Sequence, residues 1–115
     1  MKSLCIQIQP DRSDSLRLEK VYELGKAIAS DNELVSRFEI VEGEDEAPYA
    51  NLMFESANIQ SLWQRIQVAI YGNDEVKKGM REASMALCEG EDGWNDYLLL
   101  FHFDPIQELE SFDVR

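Results

Sequence analysis

Residues 37–63 read RFEIVEGEDEAPYANLMFESANIQSLW, and residues 84–110 read SMALCEGEDGWNDYLLLFHFDPIQELE. Placed over each other without a gap, the two segments agree at nine of 27 positions, including all of EGED. Common residue frequencies would give about two agreements by chance. The matches outside EGED also keep strand alternation and helix phase. We therefore predict two units of strand, turn, strand and helix.

Outside these units, residues 3–9 alternate apolar and polar side chains, which predicts a strand that ends at Pro10. Residues 15–30 carry apolar side chains at spacings of three and four, which predicts an amphipathic helix. The same spacing predicts a helix over residues 58–71 and a further helical turn or two over 74–82. The remaining strands are expected at 37–42, 49–55, 84–89 and 96–103.

The predicted order of elements is β-α-β-β-α-β-β-α, with a short last helix. Strands that follow one another in sequence usually pair as hairpins. We therefore predict an α+β fold: a single domain over residues 1–115, built as a two-layer sandwich. A mainly antiparallel five-stranded sheet carries helices on one face, ferredoxin-like in architecture, with an internal ββα repeat. The side chains expected beneath the helices are Leu4, Ile6, Ile8, Phe38, Ile40, Leu52, Phe54, Leu99, Phe101 and Phe103.

The net charge of −12 is unevenly distributed. Residues 31–62 and 82–115 carry −7 and −8, whereas the other two segments are slightly basic. Such a field repels phosphates and anionic lipids, so neither nucleic acid nor a membrane is expected as a partner. It attracts basic proteins, and we expect a basic protein partner. The alternative is that the acidity serves solubility alone.

The two EGED segments are the first candidate site. Neither copy has the alternating acids and terminal glutamate of a calcium loop, so no metal is expected there. A glycine between carboxylates suits a hairpin turn. If both tips meet at one end of the sheet, their carboxylates converge beside Trp94, which is an interface anchor or a cover for its own hairpin. The expected partner-binding residues are Glu42, Glu44, Asp45, Glu46, Glu89, Glu91, Asp92 and Trp94.

The sheet face opposite the helices is the second candidate site. Strand alternation places apolar side chains there, and such a patch is typical of an interface or a ligand groove. A homodimer through this face is expected first, and a small-ligand groove second. The residues of this dimer or ligand face are Val41, Met53, Ala86, Cys88, Leu98, Leu100 and His102.

Cys5, Cys88 and His102 share this face in the same alternation. Together they could hold zinc, or a thiol and the imidazole could form a nucleophilic pair. Against this, neither a CxxC nor an HxxxH spacing occurs, and strand cysteines are commonly small buried hydrophobes. Cys5 and Cys88 are both expected to be free thiols in a cytoplasmic protein, and no cofactor is expected.

Three function classes remain open. The first is a small acidic, non-catalytic binding module of the inhibitor, antitoxin-like or adaptor type. The second is a homodimeric small-ligand-binding protein that uses the open sheet face. The third is a small thiol- or metal-dependent enzyme.

Overall fold

The computed structural model describes residues 1–110 and residue 112. It contains five strands, β1 (Lys2–Ile8), β2 (Arg37–Asp45), β3 (Ala47–Ser56), β4 (Ser84–Gly90) and β5 (Gly93–His102). Its helices are α1 (Leu18–Ala29), α2 (Ile59–Ala69) and α3 (Lys77–Ala83), and a short 3-10 turn covers Pro10–Arg12. The predicted α+β fold with a five-stranded antiparallel sheet is confirmed.

The strands lie in the order β2-β3-β1-β4-β5, so β1 is the middle strand. It pairs antiparallel with β3 on one side, where Ile6 faces Leu52, and with β4 on the other, where Ile6 faces Ala86. Because both neighbours run antiparallel to β1, β3 and β4 run in the same direction. This topology agrees with an α+β sandwich and does not conflict with the ferredoxin-like comparison.

The passage from α3 straight into β4 depends on one buried polar group, the hydroxyl of Ser84. Its Oγ donates to the carbonyl of Met80, 2.5 Å away. The Tyr71 hydroxyl lies 2.7 Å from the same Oγ. Burial raises the pKa of Tyr71, so its hydroxyl keeps the proton that it donates to Ser84. The last turn of α3 and the first residue of β4 are therefore joined without a loop.

The helices cover one face of the sheet, and the core lies between the two layers. Leu4, Ile6, Ile8, Leu52 and Phe54 are fully buried there, as predicted. The helices contribute Val21, Ile28, Leu62, Trp63, Ile66, Val76 and Met80 to the same core.

The elements differ from the predicted ones in several bounds; β5, for example, begins at Gly93 instead of residue 96. β2 extends to Asp45 and β3 begins at Ala47, so Glu46 alone lies between these two strands. α1 begins at Leu18 instead of residue 15. In the described residues after β5, 104–107 form a turn closed by Gln107 N–H and Asp104 O, and no α-helix follows. The helical turns predicted over 74–82 are present as α3, between α2 and β4.

The assignment to the two faces was wrong for Ala86, Cys88, Leu98, Leu99 and Leu100, whereas Phe101 and His102 lie on the faces expected of them. Cys88, which is fully buried, pairs with Leu4 on one side and with Leu98 on the other, and directly paired residues share a face. A bulge at Leu100 leaves two residues opposite Ala86 and returns Phe101 to the core side. Ala86, Cys88, Leu98 and Leu100 are therefore core residues, and Leu99 faces away from the helices.

The internal repeat is not confirmed by this arrangement. Both units form hairpins, but the aligned residues Phe38 and Met85 lie on opposite faces, because Phe38 pairs with Phe54 in the core whereas Met85 pairs with Gln7. The two hairpins also occupy opposite edges of the sheet.

The face assignment can be tested with two adjacent leucines. Leu98 is 4% exposed in the core, so Leu98→Asp buries an unpaired carboxylate and should reduce the free energy of unfolding by about 3 kcal/mol or more. Leu99→Asp, the matched control on the open face, should cost about 1 kcal/mol or less. Urea unfolding followed by circular dichroism measures both. The assignment fails if Leu99→Asp is the more damaging change.

Candidate functional site

The two acidic turns lie at opposite ends of the sheet. The β2–β3 turn is at Glu46, whose φ of 66° is in the left-handed region, between the paired residues Asp45 and Ala47. The β4–β5 turn is Glu91-Asp92, closed by the pair Gly90 and Gly93. One tip precedes β3 and the other follows β4. Since these strands run in the same direction, the tips point away from each other, and the expected convergence of seven carboxylates is wrong.

The β2–β3 tip, defined here as residues 42–46, is the more acidic of the two. Glu42, Glu44, Asp45 and Glu46 are all exposed. Glu42 accepts a hydrogen bond of 3.0 Å from the Tyr22 hydroxyl; burial and this bond raise the pKa of Tyr22 to about 12. Among the described residues, no salt bridge involves a carboxylate of this tip. Its charge is left without a counter-ion.

Gly43 does not serve the turn, contrary to the sequence-based expectation. It lies within β2 opposite Tyr49. A Cβ atom on Gly43 would come within 2.5 Å of Tyr49 Cζ, so the missing side chain leaves room for the tyrosine ring. Positive φ is instead adopted by Glu46 and, in the second hairpin, by Gly93.

A double-mutant cycle tests this packing. Gly43→Ala should lower the free energy of unfolding by about 1–2 kcal/mol, because the added methyl displaces the Tyr49 ring. In a Tyr49→Ala background the same change should be neutral or slightly stabilising, since glycine weakens a strand interior. Urea unfolding of the four proteins gives the coupling energy. A coupling energy near zero would show that the ring does not depend on Gly43.

A groove of about 580 Å³ lies on the open face beside this tip. Gln7 lines it from β1, Gln9 from the residue after β1, and Tyr49 and Asn51 from β3, while Asp45 and Glu46 line it from the tip. Asn51 Oδ1 is shielded from solvent and has no hydrogen-bond donor within the described residues. The groove therefore offers two exposed carboxylates as hydrogen-bond acceptors, and the Asn51 side chain in its wall carries an amide oxygen that is shielded from solvent.

Arg12 is the base that lines this groove. Its Nε donates to Gln9 Oε1, and its guanidinium carbon lies 3.8 Å from the centre of the Phe103 ring. This cation–π contact ties the end of β1 to the end of β5.

The open face also carries an apolar row that crosses four strands. Met53, Cys5, Leu87 and Leu99 are cross-strand neighbours in this order. Val41, 40% exposed, and His102 lie in the adjacent row with Met85. Of the predicted face, Val41, Met53 and His102 are present. Met85, Leu87 and Leu99 were missed, because both alternating sets of β4 are apolar and periodicity alone could not choose between them.

The alternative in which Cys5, Cys88 and His102 come together is not realised, because the two cysteines lie on opposite faces of the sheet. Cys5 lies on the open face, whereas Cys88 lies in the core on the other side of the sheet. His102 is two strands from Cys5, and its Nδ1 accepts a 2.9 Å hydrogen bond from the backbone N–H of Asp104. Burial raises the pKa of the Cys5 thiol to about 11, which disfavours the nucleophilic thiolate.

Thiol labelling tests this environment. With a pKa near 11, about one Cys5 side chain in a thousand is a thiolate at pH 8. Labelling of the folded protein by an aromatic disulfide should therefore be slow at pH 8 and accelerate about tenfold per pH unit up to pH 10. The Cys5→Ser control should label only on unfolding, because Cys88 is buried. Fast labelling of Cys5 below pH 8 would contradict this account.

The second tip stands apart from the groove. Glu91 and Asp92 are exposed, and the Glu89 carboxylate accepts a 2.7 Å hydrogen bond from the Ser3 backbone N–H. Trp94, 43% exposed, lies beside this tip at the far end of the sheet from Glu46. A small partner seated at one tip therefore cannot touch the other.

Comparison with protein-family models, with curated protein sequences and with solved structures finds no match for this chain. Within residues 1–110 and 112, no helix is both long enough and apolar enough to cross a membrane.

Proposed function

We propose that this protein is a small non-catalytic binding module, of the inhibitor, antitoxin-like or adaptor type, that engages a basic protein surface. The observation that carries the proposal is the pairing of the β2–β3 tip with its groove. The tip holds four exposed acids that form no salt bridge in the described residues, and Asn51 Oδ1 in the groove lacks a donor. A lysine or arginine side chain supplies both the charge and the donors.

The two parts of this site have different physical roles. Exposed carboxylates contribute little to affinity singly, about 0–1 kcal/mol per pair, but their field accelerates encounters with a basic partner. A donor that displaces the groove wall and reaches Asn51 Oδ1 satisfies this shielded oxygen, which otherwise costs about 1–3 kcal/mol. The tip therefore governs the association rate, and the groove governs the dissociation rate.

The apolar row favours a second candidate, a homodimer or a small apolar ligand on the open face. Met53, Cys5, Leu87 and Leu99 are only partly buried by their neighbours. The charge of −12 on each copy opposes face-to-face association of two copies. Light scattering of wild type and Leu99→Asp tests the homodimer. If two copies associate through this face, the wild type has the mass of a dimer and the variant the mass of a monomer.

The test of the first candidate uses a partner captured from source-cell lysate and then purified. Its association rate should fall about tenfold or more between about 15 and about 150 mM salt. Neutralising the tip with Glu44→Gln, Asp45→Asn and Glu46→Gln should slow association. Asn51→Leu should leave association unchanged and accelerate dissociation about tenfold, equivalent to about 1.4 kcal/mol.

Variants at the opposite end of the sheet are the matched controls. Glu91→Gln with Asp92→Asn removes acidic charge far from the groove, so it should slow association slightly and leave dissociation unchanged. Trp94→Ala examines the separate prediction that this side chain is an anchor, which requires faster dissociation. The proposed function would be overturned if neither the association rate nor the dissociation rate of the partner changed with salt, tip neutralisation or Asn51→Leu.

A further inference from the structure

The two edges of the sheet are protected to very different degrees. The pairing of β5 with β4 shifts register twice, and the backbone N–H of Glu110 donates a 2.8 Å hydrogen bond to the carbonyl of Leu99 on β5. Bulges and a covering segment are the usual means by which proteins block an edge strand. β5 is therefore a closed edge.

β2 has neither protection. Its nine residues pair with β3 in unbroken register from Arg37–Glu55 to Asp45–Ala47. It contains no proline, no lysine and no bulge. Along the part of the chain that the structure describes, no backbone hydrogen bond reaches its outer edge. Alternate N–H and C=O groups of β2 thus remain available to one more strand.

The charges along this edge select the occupant. β2 contains one base, Arg37, and four acids: Glu39, Glu42, Glu44 and Asp45. The acids lie on both sides of the strand: Glu39 and Asp45 on the open face, Glu42 and Glu44 on the helix face. A neighbouring strand with lysine or arginine opposite these acids, on both of its own faces, would meet opposite charges on each face.

A second copy of β2 fits this edge poorly. Antiparallel pairing of two copies about Val41 would place Phe38 opposite Glu44 and Ile40 opposite Glu42. Phe38 and Ile40 pack against the core, so Glu44 and Glu42 would each face an apolar side chain, and Arg37 opposite Asp45 would be the complementary charge pair of this register. The acidity of both copies adds to this mismatch.

We propose that β2 accepts an extended basic segment of the partner protein as a sixth strand, antiparallel or parallel to β2. This inference rests on the proposed function and specifies how the basic partner binds. Main-chain hydrogen bonds to β2 supply affinity, and the acids supply the choice of sequence. The segment carries apolar residues opposite Phe38 and Ile40 and basic residues opposite Glu42 and Glu44.

The test uses a synthetic nine-residue peptide with valine opposite Phe38 and Ile40, lysine opposite Glu42 and Glu44 and threonine at the remaining positions, set for antiparallel pairing with β2, together with two N-methylated versions. One version is methylated at residues 3, 5 and 7 and the other at residues 4, 6 and 8, so their charges and compositions are equal. Only one of these sets of N–H groups can face β2. Binding is followed at low salt by NMR titration, with amide hydrogen exchange of β2 as a second readout.

The unmodified peptide should bind and should slow exchange of the outward-facing β2 amides. One N-methylated peptide should bind at least about tenfold more weakly and the other should retain its affinity, because only one removes ladder donors. Neutralising Glu39 and Glu44 (Glu39→Gln, Glu44→Gln) should weaken binding more than Glu91→Gln with Asp92→Asn, the matched pair at the far tip.

Equal binding of all three peptides would overturn strand addition but leave the charge-based proposed function standing. Absence of binding by the unmodified peptide, or slowed β2 exchange in the protein alone as its concentration rises, would also overturn the inference. The proposed function is tested separately, by the effects of salt, tip neutralisation and Asn51→Leu on binding of the purified partner. Its failure can therefore be distinguished from failure of strand addition.

Discussion

The pairing of β1 with a strand on each side is the constraint on which the remaining structure depends. β3 and β4 are both antiparallel to β1, so they run in the same direction. β3 is the second strand of its hairpin and β4 is the first strand of its own. The two acidic turns are consequently carried to opposite ends of the sheet, and each edge of the sheet is formed by the outer strand of one hairpin.

The separation of the hairpins divides the surface into regions with different chemistry. The β2 side combines an open, regular edge, four exposed acids at the tip and a groove with an unsatisfied amide oxygen. The β5 side is bulged and covered by Glu110, and its aromatic Trp94 stands beside the second tip. The β2–β3 tip carries four exposed acids beside the groove, whereas Glu91 and Asp92 are the exposed acids of the second tip, which is why the proposals place the basic partner on the β2 side.

Much of the fold was predictable from the sequence. The alternation of Leu4, Ile6 and Ile8 and the helical spacing of Leu62 and Ile66 each match one period clearly, and these residues are buried as expected. The repeat of EGED correctly separated β4 from α3, although Met80 and Ala83 continue a helical pattern up to the strand. Where one period dominates, the sequence pattern was sufficient to predict the helices and strands and the antiparallel sheet that they form.

The faces of β4 and β5 and the site were less predictable, for physical reasons. In β4 the inward set is small (Ser84, Ala86, Cys88) and the outward set is large (Met85, Leu87), so hydrophobicity favours the wrong set. In β5 the bulge at Leu100 changes the alternation within one strand. The groove depends on Asn51 and Gln7 from different strands, and the placement of the tips depends on the direction of β3 relative to β4. These are long-range relations that no local pattern carries.

The distance between the two hairpin tips tests the central claim most directly. Spin labels on cysteines introduced at Glu46 and Asp92, in a Cys5→Ser background where Cys88 stays buried, permit a pulsed electron resonance measurement. Tips at opposite ends of strands of nine and ten residues should lie on the order of 30 Å apart, from a rise of about 3.3 Å per residue. A distance below about 15 Å would mean that the tips converge, which contradicts the topology, the groove and both proposals built on them.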